Sequence, residues 1–305
     1  MAEDKRDALP GGRSGSHSAY SSLSDSGQGV RKTYYDGVDS GAEGNVLAAI
    51  DDIYYPATNR TTECVIFNIT KFHALAKYSN VFDNESEVQR LRETLESLGH
   101  VCTVHKDTSA AQVCEELERL AANTELLMRR DGFLCWIITY GKKNTLYATD
   151  GKLDFDDIIK PFTGASCKGL FGKPKLFFFQ VMNDEPKSFW TTDAIGSAPA
   201  KEEPGVPCRI PAMADFYFAY SSAPGFFETA DDKNTAHFIK IVNKVLKEKV
   251  TEDGVELSTL MAYIVEESRE YFKNEKKSEA ACYQLPCAMS TLTRDVLLYK
   301  QKKSG

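Results

Sequence analysis

Cutting a peptide bond through a covalent intermediate needs a nucleophile that can lose a proton, a base within its reach and N–H groups for the oxyanion. The chain carries cysteines at 64, 102, 114, 135, 167, 208, 282 and 287. No two are spaced as Cys-x-x-Cys, and no histidine pair stands near them at ligand spacing, so no metal or other cofactor is expected. Cys64, Cys102 and Cys135 lie in apolar, strand-like runs and read as reduced core thiols. Cys135 and Cys167 are weighed as nucleophiles and set aside, since burial of Cys135 would raise its pKa and leave it inert. His73, His100, His105 and His237 are weighed as bases and read instead as surface or strand-end residues. Met182 closes the run Leu176-Phe177-Phe178-Phe179-Gln180-Val181. A thioether has no proton to lose, so it cannot act as the attacking thiolate.

Any such groups must be held by a core, and the composition supplies one. Of 305 residues, 42% are hydrophobic, enough for one large domain or two small ones. The net charge is −7, with both signs mixed along the chain and no long basic run, which argues against a nucleic-acid partner. No apolar stretch approaches the roughly 20 residues of a membrane helix, and no apolar signal segment opens the chain. A soluble, cytoplasmic protein without membrane contact is expected.

From Cys64 onward, strand and helix patterns alternate. Cys64 to Ile69, Val101 to Val104, Phe133 to Ile138 and Leu176 to Phe179 read as strands. Between them, Ser86-Glu87-Val88-Gln89 has the form of a capping box opening a helix with Val88, Leu91, Leu95 and Leu98 on one face and Gly99 as its stop. Ser109 to Gln112 repeats the signature ahead of Val113, Leu117 and Leu120. This alternation predicts an α/β fold, a parallel sheet with helices on both faces. Residues 1–52 are rich in serine and glycine and read as disordered. Five prolines between 186 and 211 mark residues 184–210 as a linker. Two further helical patterns and a last apolar run, Cys287 to Leu298, follow it.

Four segments in order carry a resemblance: Gly172 to Gln180, Ile210 to Phe216, Tyr220 to Gly225, and Gln284 to Cys287 with Ser290 to Thr293. Together they resemble the caspases, Asp-specific cysteine proteases, and the effector-type insect members most. The resemblance spans about residues 53 to 300. It implies a caspase-like fold, a six-stranded, mostly parallel sheet flanked by helices, dimerising through its last strand. It also implies an N-terminal prodomain over 1–52, a large-subunit region over 53–183, an intersubunit linker over 184–210 and a small-subunit region over 211–305.

Set against caspases, the reacting groups are replaced. Their Gln-Ala-Cys segment at a strand tip is matched by Gln180-Val181-Met182, so Met182 stands for the nucleophile and Gln180 is retained. Their Ser-His-Gly turn after the third core strand is matched by Thr139-Tyr140-Gly141, so Tyr140 stands for the base and Gly141 is retained. A phenol, with an ordinary pKa of about 10, is a poor base near neutrality. The two arginines that would hold a substrate carboxylate are matched by Val81 and Ala230, and Glu228 adds a negative charge beside them.

The resemblance therefore implies a retained fold without the reaction. Caspase active sites are built from loops ordered by dimerisation, so a partner can act by supplying surface alone. The expected partner is an active caspase paralogue in a heterodimer, with a homodimer as the fallback, and the expected effect is enhancement of its activity in apoptosis. A decoy inhibitor holding the caspase or its activator, and a protease with a relocated site, are the alternatives. The matching edge strand is Cys287-Ala288-Met289-Ser290-Thr291-Leu292-Thr293. Asp39, closing Asp36-Gly37-Val38-Asp39, and Asp193, closing Trp190-Thr191-Thr192-Asp193, are candidate cleavage sites.

Overall fold

Burial of alternate residues on two sides of each strand organises the molecule. A computed structural model describes residues 53–58, 61–73, 84–142, 145–163, 166–183, 214–222, 228–229, 237–274 and 285–300. The expected disorder over 1–52 and the linker over 184–210 lie outside the described residues, as do Asp39, Val81, Asp193 and Ala230.

Six strands form the main sheet: β1 (Thr62–Asn68), β2 (His100–Lys106), β3 (Gly132–Lys142), β6 (Lys175–Asn183), β7 (Phe216–Tyr220) and β10 (Cys287–Ser290). Their order is β10-β7-β6-β3-β1-β2, parallel except for β10, which runs antiparallel to β7. Short strands β4 (Thr145–Tyr147) and β8 (Glu228–Thr229) attach to β3 and β6 respectively, and β5 (Lys152–Leu153) pairs with β4. A separate pair joins β9 (Val255–Glu256) to β11 (Leu297–Leu298).

The central strands are covered on both faces, so their runs are nearly continuous in apolar residues rather than alternating with polar ones. One face stacks Phe133 on Phe162 at 4.2 Å between centroids, with Phe177 and Phe218 continuing the row. The other stacks Trp136 on Phe178 at 4.6 Å and meets Phe238 of a helix. Each such aromatic pair adds about 0.5–1.5 kcal/mol beyond its buried area.

Helices α1 (Glu85–Ser97), α5 (His237–Lys249) and α6 (Leu257–Asn274) pack together on the Trp136 side. Helices α2 (Ala110–Ala122), α3 (Thr124–Met128) and α4 (Phe155–Ile159) gather on the Phe133 side. The box at Ser109 forms as expected: its hydroxyl accepts from the Gln112 N–H, and the Gln112 side chain accepts from the Ser109 N–H. The box at Ser86 does not form. Helix α1 begins two residues earlier than that box requires, at Glu85 behind Asn84, with no side-chain cap; Glu85 and Glu87 supply negative charge to its first turn instead. Gly99 ends that helix with φ of +94°, a conformation that favours glycine.

The segment before β1 is fastened to the end of the chain. The Tyr55 hydroxyl donates to Asp215 Oδ1 at 2.6 Å, and the Thr293 hydroxyl donates to the same oxygen at 2.6 Å. Burial, then the Asp215 carboxylate, hold the Tyr55 phenol above its ordinary pKa. Tyr55 and Asp295 add backbone bonds between the same two segments.

His100 opens β2 at 8% exposure, so it is a buried residue rather than a surface one. Burial lowers its pKa from 6.5 to about 4. Below the ordinary value the unfolded chain takes up a proton that the folded chain refuses. Stability therefore falls as pH drops from 6.5 toward 4. The loss attributable to this group is about 3 kcal/mol at ~1.4 kcal/mol per pKa unit. Urea unfolding across that window should show a shallower acid limb in His100→Phe. An identical limb in the variant would assign the proton uptake to other groups.

Candidate active site at the C-terminal ends of β3 and β6

Parallel α/β sheets offer their ligand sites beyond the carboxyl ends of the strands. Here the sequence-predicted positions converge on that end. Tyr140 on β3 and Met182 on β6 are direct register partners. Both are enclosed, Met182 at 0% and Tyr140 at 1% exposure. Tyr140 packs against Phe72 at 5.9 Å and Tyr147 at 5.8 Å, closing an aromatic layer beside the thioether. Methionine suits such a gap because its unbranched chain adapts to irregular walls. Gln180, two residues before Met182 on the same strand face, is also fully buried, and Gly141 is buried beside Tyr140.

One local expectation is corrected. Thr139-Tyr140-Gly141 is not a turn but part of β3, while Gln180 to Asn183 form the C-terminal tip of β6, which runs on past Phe179. The extensions persist because each finds a further ladder. Gly141 and Lys142 pair with Leu146 and Thr145 of β4, while Met182 and Asn183 pair with Glu228 and Thr229 of β8. Glu228 thus lies directly across from Met182 along the backbone, a neighbour the local sequence does not announce.

The loop after β1 is pinned to this end of the sheet by Asp107. Its Oδ1 accepts from the Thr70 N–H at 2.8 Å, the Thr70 hydroxyl at 2.9 Å and the Lys71 N–H at 3.1 Å. Burial raises its pKa, but the bonds from Thr70 and Lys71 outweigh that and hold it below the ordinary value. The only earlier signal was the turn-forming string Asp107-Thr108-Ser109.

The other titratable candidates do not join the site. Cys135 and Cys167 are buried, and burial pushes both thiols up. His105 stacks on Phe67 and faces Glu116 at 3.3 Å; His237 lies against Tyr271. His73 is an exposed turn residue. Cys102 is half-buried, not a core thiol, because β2 is an edge strand. Among the described residues no cluster of three or more His, Cys, Asp or Glu is fit to hold a metal, and no helix is long and apolar enough to cross a membrane.

The pairing edge is shorter than the sequence suggested. Strand β10 covers Cys287–Ser290; Cys287 and Met289 are half-buried on one face, Ala288 and Ser290 exposed on the other. Thr291 continues the bonding to Phe216, but Leu292 lies beyond the strand and the Thr293 hydroxyl is engaged by Asp215. Among the described residues no strand pairs with the outer side of β10.

A mostly parallel six-stranded sheet between two helical layers, with its candidate groups at the carboxyl ends of two central strands, defines an open α/β protein. Residues 61–297 match the caspase domain of the C14 peptidases, and the chain belongs to that family. It is 27% identical to Caspase-3 of Mesocricetus auratus over 238 residues, covering 77% of this chain and 83% of the relative. Caspase-3 of Bos taurus is 28% identical over 239 residues, covering 76% and 82%. The crystal structure of Caspase-1 from Spodoptera frugiperda superposes with a TM-score of 0.66 at 25% identity, over 82% of this chain and 97% of that one.

Proposed function

We propose that this chain is a non-catalytic caspase homologue that regulates apoptosis by pairing with an active caspase and raising its activity. The observation that carries the reading is the buried Tyr140–Met182 pair. The thioether stands for the thiolate and the phenol for the imidazole, and neither supports acyl transfer at neutral pH. Val81, Glu228 and Ala230 stand where a substrate carboxylate would need positive charge, so Gln180 and Gly141 remain without the groups they would assist.

The well-packed sheet and the outer edge of β10, which no strand among the described residues pairs with, support a role in docking. An open edge presents unpaired backbone groups that a matching strand would satisfy. The favoured partner is an active caspase paralogue in the cytoplasm, with a second copy of the chain as the fallback. Trimming after Asp39, and after Asp193 between the two subunit regions, belongs to the same proposal.

The experiment is sedimentation of the full chain mixed with an effector-type caspase whose own nucleophile has been replaced, so that neither is digested. A species of one chain of each kind is expected at micromolar concentration. Separate sedimentation of the two at that concentration would reject the pairing.

A further inference from the structure

The α1 side of the sheet holds a second pair of reactive side chains. Cys64 on β1 and Cys102 on β2 are register partners on adjacent parallel strands. Residues so paired project to the same face of a sheet. Cys64 is buried at 1% exposure and Cys102 is half-buried, and both are free thiols; burial, then the neighbouring Cys102, push the Cys64 thiol up, so Cys102 is the one open to attack a peroxide. Cys135 is in register with Val65, one residue out of step, which puts it on the opposite face.

A partly exposed thiol with a second thiol behind it on the adjoining strand has the surroundings of an oxidisable cysteine and its resolving partner. We propose that Cys64 and Cys102 form a reversible disulfide when the protein meets a peroxide. The Cys102 thiolate attacks one peroxide oxygen, the O–O bond breaks, and a sulfenic acid and one water result. The Cys64 sulfur then attacks the Cys102 sulfur and expels the hydroxyl as a second water. Two thiols are oxidised to one S–S bond, and one hydrogen peroxide is reduced to two waters.

The geometry makes that bond labile. Adjacent strands lie about 4.7–4.9 Å apart, within the Cα range a disulfide accepts. Side chains of parallel register partners run alongside each other rather than converging, and a bond closed from that start is strained and easily reduced. A small thiol such as glutathione should therefore reopen it. The modification clamps edge strand β2 to β1, at the edge opposite β10.

The test uses the full chain, hydrogen peroxide, alkylation of remaining thiols and tryptic mass spectrometry without reductant. Cys64 falls in the peptide Thr61–Lys71 and Cys102 in Glu93–Lys106, each with a single cysteine. The two peptides are expected joined, two hydrogens lighter than their sum, and separated again by reduced glutathione. The joined species should vanish in Cys102→Ser, a half-buried change that leaves the core intact, and persist in Cys135→Ala. Recovery of both peptides alkylated, of Cys102 as sulfinic acid beside an alkylated Cys64, or of Cys102 joined to another cysteine of the chain would overturn the proposal.

Discussion

Met182→Cys alone is expected to leave the isolated protein without turnover of Asp-directed peptides. The variant restores a sulfur that can ionise, but in an enclosed position beside Tyr140 rather than an imidazole. A thiol there is enclosed beside the Tyr140 phenol, whose ordinary pKa of about 10 makes it a poor base near neutrality. Its pKa should rise, as burial raises that of Cys135. Removing one member of a nucleophile–base pair costs about as much as removing both, on the order of 10⁴- to 10⁶-fold in rate. Peptide hydrolysis by the variant should therefore stay at least about 10⁴-fold below that of an active caspase. On the proposed reading Val81 and Ala230 stand in for the two arginines that would seat an aspartate side chain, so the deficit would extend to binding. Caspase-like turnover in the single variant would show that Tyr140 is not the obstacle and would sink the reading of this site.

Met289→Lys is expected to weaken association with an active caspase by about 2–4 kcal/mol, a roughly 30- to 1,000-fold rise in Kd, as for a charge forced into a closed apolar seam. In the single chain Met289 is half-buried and packs on the core, so part of its surface still faces water. A strand added to the outer side of β10 would cover that remainder and leave an ammonium without solvent. The long lysine stem can bend outward in the unpaired chain, so the fold should survive. Circular dichroism and the thermal midpoint check that point. A folded variant that still sediments with the caspase at unchanged affinity would move the interface away from β10.

How much of this was visible in the sequence differs element by element. The cap at Ser109 was readable because both partners of the box lie within four residues. The same string at Ser86 misled, since Asn84 and two acidic residues set the start of α1 two residues earlier. Strand cores were readable from their apolar runs, but the ends of β3 and β6 were not. Those ends are held by β4 and β8, whose pairing is a property of the folded chain. The meeting of Tyr140 and Met182, 42 positions apart (182 − 140), was suggested only by likeness to caspases; the register supplies the physical contact. Cys64 and Cys102 read as unrelated core thiols because no local pattern encodes which residue of β2 lies beside which residue of β1. Residue types announce chemistry, while register decides which residues share it.

The central claim is that the chain acts on a caspase without performing the reaction itself. Titration of the purified full chain into an active caspase at fixed concentration, with cleavage of a fluorogenic Asp-peptide as readout, tests it most directly. The account predicts no cleavage by the chain alone and a saturable rise in the caspase's rate, lost in Met289→Lys and retained in Met182→Ala. A flat response up to concentrations well above the Kd from sedimentation, or a saturable fall, would contradict it, the fall marking a decoy inhibitor instead.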